Sequence, residues 1–143
     1  MTPTDSSPTA PITPAQRWTG RVLRTLVVLF LVMDGGMKLF RAPPAVEGTV
    51  QLGYPEGVVA PLGVLVLAGT LLYLIPRTSL FGAIILTGFL GGAVATHVRV
   101  GNPLFGHTLF PVYLGVMLWA GLVLRDPRLR ALLFNASAGR RPA

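Results

Sequence analysis

Cysteine is absent from the 143-residue chain. That excludes disulfides, thiolate metal sites and thiol redox chemistry carried by the chain's own residues. Charge is scarce as well: 12% of residues are Asp, Glu, Lys or Arg, where a soluble domain carries about a quarter. A surface so poor in charge faces something other than water, and a lipid bilayer is the solvent that fits. Two histidines and five acidic residues make no recognisable ligand pattern, so no metal or haem site is expected and no cofactor is intrinsic. Lysine is nearly missing: eleven of the twelve cations are Arg, and the other is Lys38. With abundant Ala, Gly, Val and Pro, that bias points to a GC-rich bacterial genome.

What the chain has instead is apolar sequence, 52% of the total. Its net charge of +7 sits in short clusters beside long apolar runs, with no continuous basic face and no aromatic stacking platform. Nucleic acid is therefore not an expected partner. The clusters read as topology signals that also favour anionic lipid headgroups.

Residues 1–16 are polar and proline-rich, and are expected to form a disordered tail. Residues 17–134 are expected to form a membrane domain of four spans. The first apolar run follows Arg17, Arg21 and Arg24, like a secretory signal, but no A-x-A cleavage site comes after it. Read as one helix from about Trp18 to Phe40, it is long enough to cross a bilayer, which takes about 20 residues. Pro43-Pro44 ends it. Ala45 to Leu52 has the marks of a two-turn helix, with Val46, Val50 and Leu52 toward apolar surface and Glu47 and Gln51 away from it.

Three further spans are expected at about 58–75, 80–98 and 109–124, separated by Pro76-Arg77 and by Gly101-Asn102-Pro103. Asp126-Pro127 looks like the cap and first residue of a short basic helix to Phe134. Residues 135–143 are expected to be a second disordered tail. The expected fold class is all-α. It is an integral membrane four-helix bundle with a short amphipathic outer helix between spans one and two, and a short basic C-terminal cytoplasmic helix.

Orientation follows from the cations. The N-terminus, the Arg77 loop and the C-terminus together hold nine of them, Arg140 and Arg141 included; the other side holds Lys38, Arg41 and Arg99. Both termini are expected in the cytoplasm, in a multi-pass protein of the bacterial inner membrane.

With the spans so oriented, the remaining titratable groups gather at the outer end. Asp34 and Lys38 are four apart on one helix face. His97 and Arg99 close the third span, His107 precedes the fourth, and Glu47 and Gln51 lie in the outer segment. These seven residues form the expected ligand site. The plain alternative is that they snorkel to headgroups or pair to hold the bundle together. Asp34 decides between the two, because it sits about six residues, roughly 9 Å of rise, from the helix end. Its short side chain cannot reach the interface, so it needs Lys38, Arg99 or a histidine as partner, or a proton.

Small residues carry the expected helix packing: Gly35, Gly36, Gly88, Gly91, Gly92 and Thr96. Gly88 and Gly92 form a GxxxG pair that serves either the internal bundle or a homo-oligomer, and packing within the bundle is the simpler reading. Trp18, Tyr54, Tyr73 and Trp119 need no role beyond packing or interfacial anchoring.

Several blocks together resemble the DoxX-like family of small bacterial membrane proteins, from about Trp18 to Leu133. They are Asp34-Gly35-Gly36-Met37-Lys38-Leu39, Leu52-Gly53-Tyr54-Pro55, Tyr73 to Thr78, Gly91 to Arg99, and His107-Thr108-Leu109-Phe110-Pro111. The resemblance implies a four-helix membrane bundle, and relatives linked to redox and oxidative-stress partners. Three functions are weighed. The first is an accessory subunit that binds a quinone-like or lipid-like small molecule at the outer polar cluster. The second is a membrane oxidoreductase component working with a redox partner protein, and the third is a small proton-coupled exporter.

Overall fold

The computed structural model describes residues 12–135. The two expected tails, 1–16 and 135–143, lie largely outside these residues, as do Arg140 and Arg141 of the orientation argument. Among the described residues every regular element is helical.

Helix α1 runs Pro14–Leu39 and begins ahead of the expected Trp18. Thr13 is the reason. Its Oγ1 accepts from the Gln16 N–H at 3.3 Å, while Gln16 Oε1 accepts from the Thr13 N–H at 3.0 Å. This reciprocal cap satisfies two end donors, and Pro14 in the first turn has no N–H to leave unpaired. Pro14 to Gln16, expected in the tail, are therefore helical. After α1, Arg41 adopts a left-handed φ of 53° and Pro43 opens α2, Pro43–Gln51. A tight 3-10 turn, Glu56–Val58, leads into α3, Val59–Leu74. Helix α4 is Ser79–Arg99, and a π turn, Leu104–Thr108, precedes α5, Phe110–Val123. Helix α6 is Pro127–Asn135.

Among the described residues, three stretches are long and apolar enough to cross a membrane: Glu56–Leu74, Ser79–Arg99 and Leu104–Val123. Helix α1 is longer, at 26 residues. Arg17, Arg21 and Arg24 toward one end and Asp34 and Lys38 toward the other dilute its apolar run, so length and composition alone do not make it a span.

Helix α1 packs against α3 and α5, and α4 packs against the same two. Helices α1 and α4 thus lie diagonally opposite. Val27 and Leu31 of α1, Val66 and Tyr73 of α3, Leu86 of α4 and Leu118 of α5 meet in the core. Tyr73 Oη donates to the Leu118 carbonyl at 2.8 Å, which gives its buried hydroxyl a partner.

Glycines set two of the crossings. A Cβ on Gly63 would lie 2.5 Å from Leu39 N and 2.8 Å from Gly35 O, so α3 meets α1 backbone to backbone. A Cβ on Gly82 would collide with the Tyr73 backbone, where α4 turns back along α3. The glycines expected to pack divide differently. Gly35 faces Leu67 and Val66, whereas Gly36, Gly88, Gly91 and Gly92 have open space where a Cβ would go. Among the described residues, the GxxxG face of α4 is therefore not a helix contact. Gly88 and Gly92 look across the diagonal toward α1, where no helix stands close enough to touch.

Candidate functional site

The space left between α1 and α4 is a cavity of about 590 Å³. Leu62 and Leu65 of α3 wall one side of it, and Phe110 and Leu114 of α5 the other. Phe30 and Phe110 meet edge to face with ring centres 5.1 Å apart, which braces α1 against α5 at the wall. Helix α2 and the segment after it cover one end with Thr49, Leu52 and Tyr54.

Polar groups reach the cavity from three elements. On α1, Lys38 Nζ donates to Asp34 Oδ1 across one helical turn. The two side chains are only 15% and 20% exposed, so each charge depends on the other for compensation. On α4, Thr96 Oγ1 donates to the Gly92 carbonyl at 2.8 Å. That spends its single hydrogen, so the phenol is the donor in the 2.9 Å bond between Tyr54 Oη and Thr96 Oγ1. Next to Thr96, His97 Nδ1 lies 2.8 Å from Asn102 Nδ2. With the amide oriented this way its nitrogen can only donate, so Nδ1 accepts and the neutral ring carries its hydrogen on Nε2. Thr49 Oγ1 donates back to the Ala45 carbonyl at 2.7 Å and keeps its lone pairs.

The arrangement offers a self-neutralised ion pair, hydroxyls and an imidazole to the polar end of a molecule. Aliphatic and aromatic walls receive the remainder. Among the described residues, no group of three or more His, Cys, Asp or Glu is placed to hold a metal ion.

A family model described as the DoxX-like family matches residues 22–121. The chain belongs to the DoxX-like family. No curated protein and no solved structure matches it. The matched stretch contains every residue that lines the cavity of this DoxX-like chain, from Phe30 to Leu114.

Three of the seven residues expected to form one ligand site line that cavity: Asp34, Lys38 and His97. Glu47, Gln51, Arg99 and His107 do not, and all four are exposed. Glu47 and Gln51 lie on the outer face of α2. Its inner face is carried by Thr49, which is buried, while Val50, expected inward, is 43% exposed. Arg99 stands behind the cavity wall: its Nη2 donates to the carbonyl of Leu52, a lining residue, at 2.7 Å. His107 sits in the π turn, its ring centre 6.0 Å from that of His97.

Gly88, Gly92 and Thr96, expected for helix packing, line the cavity instead. Thr49 and Tyr54 are lining residues that sequence reasoning overlooks. For Tyr54 a signal exists. It stands between Gly53 and Pro55 in a turn, and a ring held in a turn at a bundle's end can cap that end as readily as anchor it.

Proposed function

We propose that this DoxX-like protein is a four-span bundle of the bacterial inner membrane with both termini in the cytoplasm. In that bundle it serves as an accessory subunit that holds one small molecule with an apolar body and an uncharged polar head, quinone-like or lipid-like. The observation that carries the reading is the Asp34–Lys38 pair in the wall of a mostly apolar 590 Å³ cavity. Since the pair cancels its own charge, a head that forms hydrogen bonds without adding charge suits it best. Support for α1 as a span comes from its outward face. Leu26, Leu29, Val32 and Met33 are 46–63% exposed, a stripe that water would not favour and acyl chains would.

Protein purified in mild detergent and examined by native mass spectrometry is expected to carry a co-purifying small molecule. Asp34→Asn and Lys38→Met are expected to lose it. Empty cavities in all three proteins would overturn the reading. Because the chain has no native cysteine, single-cysteine variants at Thr19 and Glu47 can report membrane sidedness. Labelling of both from the same side would overturn the four-span topology.

A second reading makes the protein an oxidoreductase component whose partner protein supplies the electrons. His97 favours it, since this imidazole lines the same cavity with its Nε2 side uncommitted, and imidazole is suited to passing protons. Quinone reduction that depends on a co-purified redox partner and is lost in His97→Ala is the expected result. The exporter reading needs a carboxylate that exchanges its proton freely, and Lys38 already occupies Asp34.

A further inference from the structure

A second, smaller cavity of about 230 Å³ lies at the opposite end of the helices. Arg24 of α1, Tyr73 of α3, Ser79 at the start of α4, and Leu122 and Arg125 around the end of α5 surround it, with Asp126 and Pro127 leading into α6. The apolar stretches of α3 and α5 stop at this level, at Leu74 and Val123. In a bilayer that is where hydrocarbon gives way to headgroups.

Among the described residues, two arginines face one carboxylate around this cavity. Asp126 is committed to α6: its Oδ1 accepts from the N–H groups of Arg128 at 2.9 Å and Leu129 at 3.3 Å. Among the described residues, Arg24 and Arg125 have no carboxylate within salt-bridge distance. Arg24 Nη2 donates to the Leu74 carbonyl at 2.7 Å, and the guanidinium stacks 5.7 Å over the Tyr73 ring. Both contacts hold the group in place. Its Nε is nevertheless closed off from solvent without an acceptor. A ligand in the cavity would therefore meet this guanidinium through its terminal nitrogens. Tyr73 donates to the Leu118 carbonyl and the Ser79 hydroxyl donates to the Pro76 carbonyl at 3.2 Å, so the arginines are the groups left to meet a ligand.

We propose that this cavity binds a phosphate group, with Arg24 and Arg125 supplying the charge-assisted hydrogen bonds. Guanidinium suits this role because its fork matches phosphate oxygens. The cavity's level makes an anionic phospholipid headgroup one source of that phosphate, and soluble phosphate is the other. The inference is independent of the outer cavity and its occupant.

The test uses the full chain in micelles containing equal phosphatidylcholine and phosphatidylglycerol, with bound lipid counted by native mass spectrometry. The wild type is expected to retain phosphatidylglycerol preferentially. Arg125→Gln, at an exposed position, is expected to weaken retention about fivefold, as for the loss of one hydrogen bond of about 1 kcal/mol to the phosphate. Arg24→Gln with Arg125→Gln is expected to weaken it more than tenfold. Arg17→Gln with Arg21→Gln removes equal charge from exposed positions on the same helix and is expected to leave retention within twofold.

A second arm adds inorganic phosphate at tens of millimolar. Displacement of the lipid together with a raised Tm would assign the site to soluble phosphate; retention unaffected by it would assign it to the headgroup. The proposal falls if neither lipid is preferred and phosphate has no effect. It also falls if the Arg17/Arg21 variant loses as much as the Arg24/Arg125 variant. Should the Arg24 variant fail to fold, Arg125→Gln alone decides the matter.

Discussion

The phenol of Tyr54 donates to Thr96 Oγ1 at 2.9 Å, and Thr96 passes its own hydrogen to the Gly92 carbonyl at 2.8 Å. This short chain fastens the segment after α2 to the face of α4. Without it, the polar end of the cavity would be covered mainly by α2, a helix of nine residues that is too short to be stable by itself. Tyr54→Phe keeps the ring and removes the donor. Thermal unfolding in detergent is expected to show a loss of about 1 kcal/mol. Thr96→Val, which deletes both bonds, is expected to lose more, and Thr96→Ser close to nothing. Equal stability of wild type and Tyr54→Phe would mean that the segment is held by other contacts.

The ion pair makes a different prediction, because its members compensate each other. Asp34→Asn leaves the Lys38 ammonium shielded and unpaired, and Lys38→Met does the same to the Asp34 carboxylate. Each single change is expected to cost on the order of 2 to 4 kcal/mol. The double variant Asp34→Asn/Lys38→Met leaves no lone charge and is expected to recover most of that loss while still failing to retain the small molecule. A double-mutant cycle measured by unfolding reads the coupling directly. Additive losses would show that the two groups do not depend on each other.

How far the sequence reaches depends on the kind of force involved. Hydropathy places the ends of α3, α4 and α5 within one residue of the expected 58–75, 80–98 and 109–124, since Pro76, Pro103 and the apolar runs act locally. The i,i+4 spacing likewise brings Lys38 onto Asp34 within one helix. The start of α1 was legible too, in Thr13-Pro14-Ala15-Gln16, but the composition of the surrounding segment obscures it. Partnerships across the bundle are a different matter. Nothing local tells Arg99 to reach Leu52, 47 positions away, or tells Thr49 rather than Val50 to face inward. The order of the helices around the ring decides both, and it also decides which glycines touch a neighbour.

That order yields a third prediction. Gly63→Ala and Gly82→Ala place a methyl group against the backbone of a neighbouring helix, and overpacking of this kind costs about 1–3 kcal/mol or more. Gly88→Ala and Gly91→Ala meet open space. They are expected to leave stability unchanged or raise it by up to about 1 kcal/mol, through the better helix propensity of alanine. Melting curves of the four variants in one detergent check the ranking. A destabilised Gly88→Ala would show that an occupant of the cavity already fills the space against that face.

The last prediction concerns the turn that Arg99 pins. Gly53 has a φ of +83°, and a Cβ there would lie 3.2 Å from Arg99 Nη2, so Gly53→Ala meets backbone strain and crowding together. The strain alone is worth about 1–2 kcal/mol. Arg99→Met leaves the backbone of the turn unstrained but takes away the donor that the Leu52 carbonyl uses at 2.7 Å. It is expected to speed amide hydrogen exchange around Leu52 to Tyr54 with little change in global melting, because the turn can open without the helices separating. Gly53→Ala is expected to speed exchange there and to lower the melting temperature as well. The difference separates a clasp on one end of the cavity from a support of the whole fold. If Arg99→Met melts the protein as deeply as Gly82→Ala does, Arg99 belongs to the second kind.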